Sequence, residues 1–338
     1  MSPSLRRRVL AMVAVLVVCV GGSVAYLWRV DGDRREQAAA APPVATASTT
    51  TMDGPRIVFR STLLGTGYGE VAVVPLTEPR GPRALTGAQC ERVYASDDRT
   101  LCLAADRGVV TTYSATVLGP GLEPVRELPL TGSASRARLS ADGTLAATTA
   151  FVNGHGYSSS SFVTETLVTR LDGESYGNLE DFTLVHEGEV VKPVDRNIWG
   201  VTFASDDDTF YVTVAWGGRT WLARGSLSTR RLATIRDDAE CPSLSPDGET
   251  VVYKKRQDRP PGQWRLAAYT ISTGAETLLA ETRSVDDQVE WLDDRTVLYG
   301  LARSGSESAI SDIWAVPADG TGRPRLLVEG GWSPAVVR

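Results

Sequence analysis

Five times along this chain an apolar strand end runs into a Ser/Asp/Gly turn and out again into a second apolar strand: YASDDRTLCL (94–103), LSADGTLAAT (139–148), FASDDDTFYV (203–212), LSPDGETVVY (244–253) and WLDDRTVLYG (291–300). With Asp97, Asp142, Asp206, Asp247 and Asp293 as markers, the spacings are 45, 64, 41 and 46 residues. A period of 40–50 residues means that one small supersecondary unit recurs, too small to bury its own apolar face, so that neighbours must stack; at four strands per unit this is the pattern of propeller blades. The one long interval contains the acidic stretch DGESYGNLEDFTLVHEGEVVKPVDRN (172–197), and treating it as an insertion restores the period.

Each turn motif is followed by two further strand-like runs, as in QWRLAAYTISTG (263–274) and AETLLAETRS (275–284). Beyond the N-terminus no apolar stripe of three helical turns appears, which indicates an all-β domain. The two ends of the repeat array are each incomplete. PRIVFRS, GEVAVVPL and GPRALTG, from residue 55 on, supply three strands with no inner strand before them, and GWSPAVVR (331–338) supplies an inner strand with nothing after it. The C-terminal strand is therefore expected to complete the first blade, with Trp332-Ser333-Pro334 read as the strand's end and the start of its turn. Such closure joins both chain ends in one sheet and removes the exposed edges of an open array. The expectation is a six-bladed β-propeller over residues 55–338, about 47 residues per blade.

Before it, residues 1–8 form a basic segment and 9–28 a run of twenty without a charge, long enough as a helix to cross a bilayer. Arg6, Arg7 and Arg8 ahead of the run place the N-terminus inside. Residues 29–54, rich in Ala, Thr and Pro, read as a flexible tether. A signal peptide cleaved near Ala25 and a lipid-bearing Cys19 are the other readings of this segment, and all three export the domain. The formal net charge is −6, and because the first thirty residues carry four arginines and no acid, the remainder carries −10. That charge argues against sequence-independent nucleic-acid binding. Cys90, Cys102 and Cys241 are an odd number for an oxidising compartment, so one disulfide and one free thiol are expected. Cys90 and Cys102 lie on one expected hairpin but several residues out of register, which leaves the pairing open.

Pro242-Ser243-Leu244-Ser245-Pro246-Asp247-Gly248, followed by Val251-Val252-Tyr253, resembles the WD40-like Pro-Asp repeat of TolB-like propellers. The other turn motifs match it in part. Over its exported region the chain is similar to membrane-anchored or signal-bearing TolB-like proteins of actinobacteria, and the resemblance implies a six-bladed propeller with a binding role. Residues 31–54 are too few for the α/β domain that precedes the propeller in TolB itself, so TolB's partners are not implied.

No catalytic or metal-binding constellation emerges from the residues. Asp206-Asp207-Asp208 are consecutive and cannot all turn toward one calcium ion, whereas Asp caps turns through its own backbone. GHGYSSSS (154–161) offers His155 and serines without a nucleophile elbow. Asp286, Asp287 and Glu290 could form an acid/base pair, but their place at the start of an inner strand favours channel lining. Inner-strand starts and the loops between second and third strands share one face of a propeller. That face gathers Arg196, Trp199, Glu240, Arg256, Asp287 and Trp332, together with His155 and Lys254, as candidate binding residues. The expected function is a membrane-tethered, non-enzymatic binding module for a protein, peptide or envelope component, without cofactor. A propeller enzyme of lyase or hydrolase type, with its site in the central channel, is the alternative.

Overall fold

The computed structural model describes residues 3–40, 45–47, 54–96, 98–108, 110–152 and 163–338. It divides into two compact units, one of residues 1–44 with 64–66, which holds the N-terminal helix, and one of residues 45–63 and 67–338, the β domain.

Helix α1 (Pro3–Ala40) continues past Trp28 into the stretch read as tether, and within it residues 6–32 are long and apolar enough to cross a membrane. Its described apolar side chains, from Val9 to Trp28, are exposed.

The β domain is a ring of six sheets. β1 (Arg56–Ser61), β2 (Glu70–Pro75) and β3 (Ala84–Gln89) are followed by β4 (Arg92–Ala95), β5 (Thr100–Arg107), β6 (Thr111–Leu118) and β7 (Pro124–Leu128), which make the second blade. The third blade is β8 (Ser133–Leu139), β9 (Leu145–Val152), β10 (Val163–Arg170) and β11 (Ser175–Asn178). A hairpin of β12 (Thr183–His186) and β13 (Glu189–Val191) precedes the fourth blade, β14 (Asn197–Phe203), β15 (Thr209–Trp216), β16 (Arg219–Ser226) and β17 (Arg231–Asp237). The fifth is β18 (Glu240–Leu244), β19 (Thr250–Lys255), β20 (Arg265–Thr270) and β21 (Glu276–Leu278), and the sixth β22 (Glu290–Trp291), β23 (Thr296–Ala302), β24 (Ser311–Pro317) and β25 (Arg325–Val328). The last strand, β26 (Gly331–Val337), pairs antiparallel with β1, from Arg56 opposite Val337 to Ser61 opposite Gly331, and closes the ring as expected.

Second strands are buried on both faces because each blade is packed between two others. β15, Thr-Phe-Tyr-Val-Thr-Val-Ala-Trp, is buried over its first six residues. Large apolar side chains from adjacent blades meet in shared clusters; Leu145 and Val168 of the third blade pack with Ile198, Phe210 and Leu232 of the fourth. At the seam, buried Arg83 donates to the carbonyls of Glu329 (2.5 Å) and Gly330 (3.0 Å) and lies over the Phe59 ring, tying the first blade to the sixth; burial lowers its pKa to about 10.

The structure corrects the phase of the last strand. Trp332, Ser333 and Pro334 lie in the first half of β26, not at its end. They match Glu240-Cys241-Pro242 of β18, and Ser333 (φ 55°) and Cys241 (φ 50°) are both left-handed, as is Gly200 (φ 73°) in β14. At each of these places the pairing to the second strand shifts by a bulge, which turns a backbone N–H away from the ladder. No other residue suits position 200: a Cβ there would sit 2.8 Å from the Cys241 Cα.

The stretch 172–197 is only partly an insertion. Its start supplies β11, the fourth strand of the third blade, and its centre supplies β12 and β13, which add to the outside of β17 and widen the fourth blade to six strands. Leu179, Phe182 and Leu184 within it are fully buried.

Cys90 and Cys102 form a disulfide with Cα atoms 5.4 Å apart, and Cys241 is free and buried. Cys90 is not on the hairpin: it lies in the link from β3 to β4, so the strand register, with Val93 opposite Cys102, does not govern its reach. The bridge closes a short loop between the first two blades, and replacing both cysteines by alanine is expected to lower stability by about 3 kcal/mol, read from urea unfolding of oxidised and variant protein.

Candidate functional site

Propeller blades surround a channel, and the two ends of this one differ. At the end where the inner strands start, the described residues form a network of charged side chains. Asp287, fully buried, accepts from the backbone N–H of Gly300 (3.0 Å) and of Ser333 (3.1 Å) and from Arg92 Nη1 (3.2 Å), so a single carboxylate joins the sixth, first and second blades. The N–H of Ser333 is available because of the bulge in β26. Position 300 must be glycine, since a Cβ there would lie 2.6 Å from the Asp287 carboxylate and 2.5 Å from the Trp332 ring. Arg92 also stands 5.2 Å from the Trp332 ring centre. Burial pushes the Asp287 pKa up, against the downward pull of Arg92 and Arg136.

Next to it, Arg136 donates to the Asp286 carbonyl (3.0 Å), and Lys254 donates to the Asp286 carboxylate (2.7 Å) while lying 4.1 Å above the Trp264 ring. Trp264 in turn donates to Glu240 (2.9 Å). The structure thus gathers three of the six candidate residues, Glu240, Asp287 and Trp332, into one network. Trp199 is buried in β14. Arg196 donates to the Phe182 carbonyl (3.2 Å), and the Arg256 backbone N–H is held by Asp238 (3.0 Å). His155 lies outside the described residues.

Arg196 also faces Glu180, whose carboxyl has an Oε1 buried without a hydrogen-bond partner. Burial raises Glu180 to about 7, with Asp181 and Glu165 adding to the rise and Arg196 opposing it. A carboxyl whose folded pKa lies above its unfolded value contributes stability that is complete below the unfolded pKa and is lost as pH rises through about 7. Thermal unfolding should therefore show a higher Tm at pH 5.5 than at pH 8.5, and Glu180→Gln should flatten that difference.

One layer further along the channel, Arg138 bridges four inner strands. It pairs with Glu290 (2.5 Å), donates to Ser243 Oγ (2.9 Å) and the Val289 carbonyl (3.2 Å), and stacks 4.5 Å from the Tyr94 ring centre. Burial pushes Glu290 up against the pull of Arg138, and pushes the Tyr94 hydroxyl up to about 12. Beyond this layer the channel opens, at the end carrying the first hairpin turns, into a cavity of about 600 Å³ whose wall draws on all six inner strands. Arg138, Glu290 and Tyr94 form its floor, and Tyr211, Trp291 and the exposed Arg224 contribute to its wall. The turn aspartates around the mouth serve the turns: Asp206 Oδ1 accepts from the N–H of Asp208 and Thr209, and Asp293 Oδ1 from Arg295 and Thr296.

Sequence reading missed Arg92, Arg136 and Arg138. The available signal was SASRARL in β8, where two arginines at alternate positions interrupt a run of small residues and must share a face.

No protein-family model matches the sequence, and no curated protein matches it. Among solved structures, TolB from Acinetobacter baumannii is similar at 17% identity, over 88% of this chain and 68% of that one, with a TM-score of 0.55. A chain of a nidogen/laminin complex is similar at 12% identity, over 84% of this chain and 98% of that one, with a TM-score of 0.56. A puromycin-hydrolysing peptidase of Mycobacterium tuberculosis is similar at 15% identity, over 81% of this chain and 43% of that one, with a TM-score of 0.48. Likeness at such identities speaks to the fold alone, and the fold is the TolB-like one read from the turn sequences, a six-bladed β-propeller closed between its last strand and its first.

Proposed function

We propose that this protein is a membrane-tethered, non-catalytic binding module whose propeller lies outside the cytoplasmic membrane and takes up a segment of a protein, peptide or envelope component at the turn-face mouth of its channel. The observation that carries the reading is the asymmetry of the channel. One end carries the buried charged network around Asp287, and the other opens as a cavity of about 600 Å³ with aromatic and charged walls, a size and make-up suited to a bound side chain or chain segment. The basic residues ahead of the apolar helix and the Cys90–Cys102 disulfide both support an exported domain. Against channel chemistry stands the occupancy of its acids: Asp287 is held by Arg92 and two backbone N–H groups, and Glu290 by Arg138.

The competing contact surface is the strand-start face with Arg196, Trp199, Glu240, Arg256, Asp287 and Trp332. A photo-crosslinking residue placed at Ser205, on the cavity rim, and another at Gln257, on the strand-start face, separates the two in cells. The expected result is one partner captured from position 205, with capture cut about tenfold by Arg224→Glu and unchanged by Arg196→Ala or Arg256→Ala. Capture from 257 that depends on Arg196 or Arg256 would transfer the function to the opposite face.

A further inference from the structure

Arg83, in the link from β2 to β3, is bonded in two directions. Its guanidinium donates to the carbonyls of Glu329 and Gly330 at the seam between the sixth and first blades, and Arg80 of the same link donates to the Leu326 carbonyl (2.7 Å). Its backbone instead meets the stretch read as tether. The Arg83 N–H donates to the Ala45 carbonyl (3.0 Å) and the Ala47 N–H to the Arg83 carbonyl (2.8 Å), a parallel bridge with Thr46 opposite residue 83.

The seam end of this connection bears on ring closure. The Gly330 carbonyl that Arg83 reaches also accepts the Thr62 N–H (3.0 Å), one residue past the Ser61–Gly331 pair of the β1–β26 ladder, and the Gly330 N–H is fixed to the Asp312 carboxylate (2.8 Å). Thr62 Oγ1 in turn donates to the Ser311 carbonyl (2.8 Å) and accepts from the Ser311 N–H (3.0 Å). Arg83, Thr62, Ser311 and Asp312 are all buried, so each lost bond would leave a polar group without water. The guanidinium thus belongs to the set of bonds that positions the start of the closing strand. The tether end is slight by comparison: Ala45 and Thr46 are exposed, and among the described residues the segment's hydrogen bonds to the blade are those two backbone bonds. A contact of that size opens and recloses far more often than the sheet behind it.

We propose that residues 45–47 are a releasable latch on ring closure: docked, they fix the backbone of Arg83 and with it the seam, and undocked they leave the start of β26 looser. With α1 as a retained anchor, load on the tether meets this bridge ahead of β1, so a pull from the membrane side would act on closure first; the latch itself does not depend on the anchor.

The test is amide hydrogen exchange on the full chain in detergent micelles. Ala47→Pro deletes the donor that the segment gives the blade, and Ala45→Pro, which stiffens the same segment but keeps the Ala45 carbonyl and the Ala47 N–H, is the control. Exchange at Arg83, Thr62 and Gly330 should rise about tenfold in Ala47→Pro and stay at the parent rate in Ala45→Pro, with Val212 and Val252 of the fourth and fifth blades unchanged in both. Arg83→Met keeps the backbone bridge without the guanidinium. In that background Ala47→Pro should still free the amide of residue 83 but no longer alter Thr62 or Gly330. A rise confined to residue 83 in the Ala47→Pro protein would reduce the bridge to a local clip with no hold on closure, and no rise at any of the three amides would mean that the segment is not docked in solution. Either result overturns the latch.

Discussion

Removal of residues 331–338 abolishes cooperative unfolding of the propeller, whereas removal of Arg338 alone leaves stability within about 1 kcal/mol of the full chain. The shorter cut spares β26 and costs one hydrogen bond, from Arg338 to the Trp291 carbonyl. The longer cut removes a whole inner strand. Val336 and Val337 are buried, and at about 1.5–3 kcal/mol each their side chains account for about 3–6 kcal/mol before Ala335, the ladder to β1 or the Ser333 bond to Asp287 is counted. That sum is comparable with the whole stability of a typical domain. It also uncovers the edge of β1, where Ile57, Val58 and Phe59 alternate across two buried faces, so the truncated protein should aggregate as well as lose its transition. Calorimetry of the two truncations, with hydrogen exchange at Ile57 to Phe59, decides the matter; a cooperative transition in the longer truncation would mean that the ring is held elsewhere.

That prediction was within reach of the sequence because ring closure depends on strand inventory, and a missing inner strand at residue 55 with a spare one at 331 can be counted. The turns were legible for the same local reason: Asp142, Asp206 and Asp293 bond their own neighbours two and three residues on, and such chemistry is written in consecutive letters. What could not be read depends on which strands face each other across the channel. Arg138 meets Glu290 from 152 residues away, and Arg92 meets Asp287 from 195, so neither pair leaves a local pattern. The bulges in β14, β18 and β26 were hidden too. Gly200, Cys241 and Ser333 share a left-handed backbone but no side-chain chemistry, so Ser333-Pro334 reads as the start of a turn although its counterpart in the fifth blade is Cys241-Pro242, inside the strand. Phe182 and Leu184 show the same limit, since an acidic stretch can still hold a few buried apolar residues that bind it to the fourth blade.

Asp287→Ala should destabilise the propeller by about 3–5 kcal/mol, the cost of leaving a buried cation without its partner. The substitution strands the Arg92 guanidinium beside Arg136 and orphans the N–H groups of Gly300 and Ser333. Asp287→Asn keeps an acceptor of the same shape but no charge, so its loss should be smaller, about 1–3 kcal/mol. A double-mutant cycle with Arg92→Met separates pairing from packing. Once Arg92 is gone, losing Asp287 no longer leaves an unpaired charge, and the double variant should be more stable than the sum of the single losses implies. Urea unfolding at constant slope is the measurement, and an Asp287→Ala protein within 1 kcal/mol of the parent would show that the carboxylate does not bind the three blades. The result bears on function as well. If Asp287 holds the strand-start end closed, loosening it should open a second way into the channel, and hydrogen exchange at Gly300 and Ser333 should rise in Asp287→Ala while the turn-face residues Ser245 and Gly248 stay as protected as before.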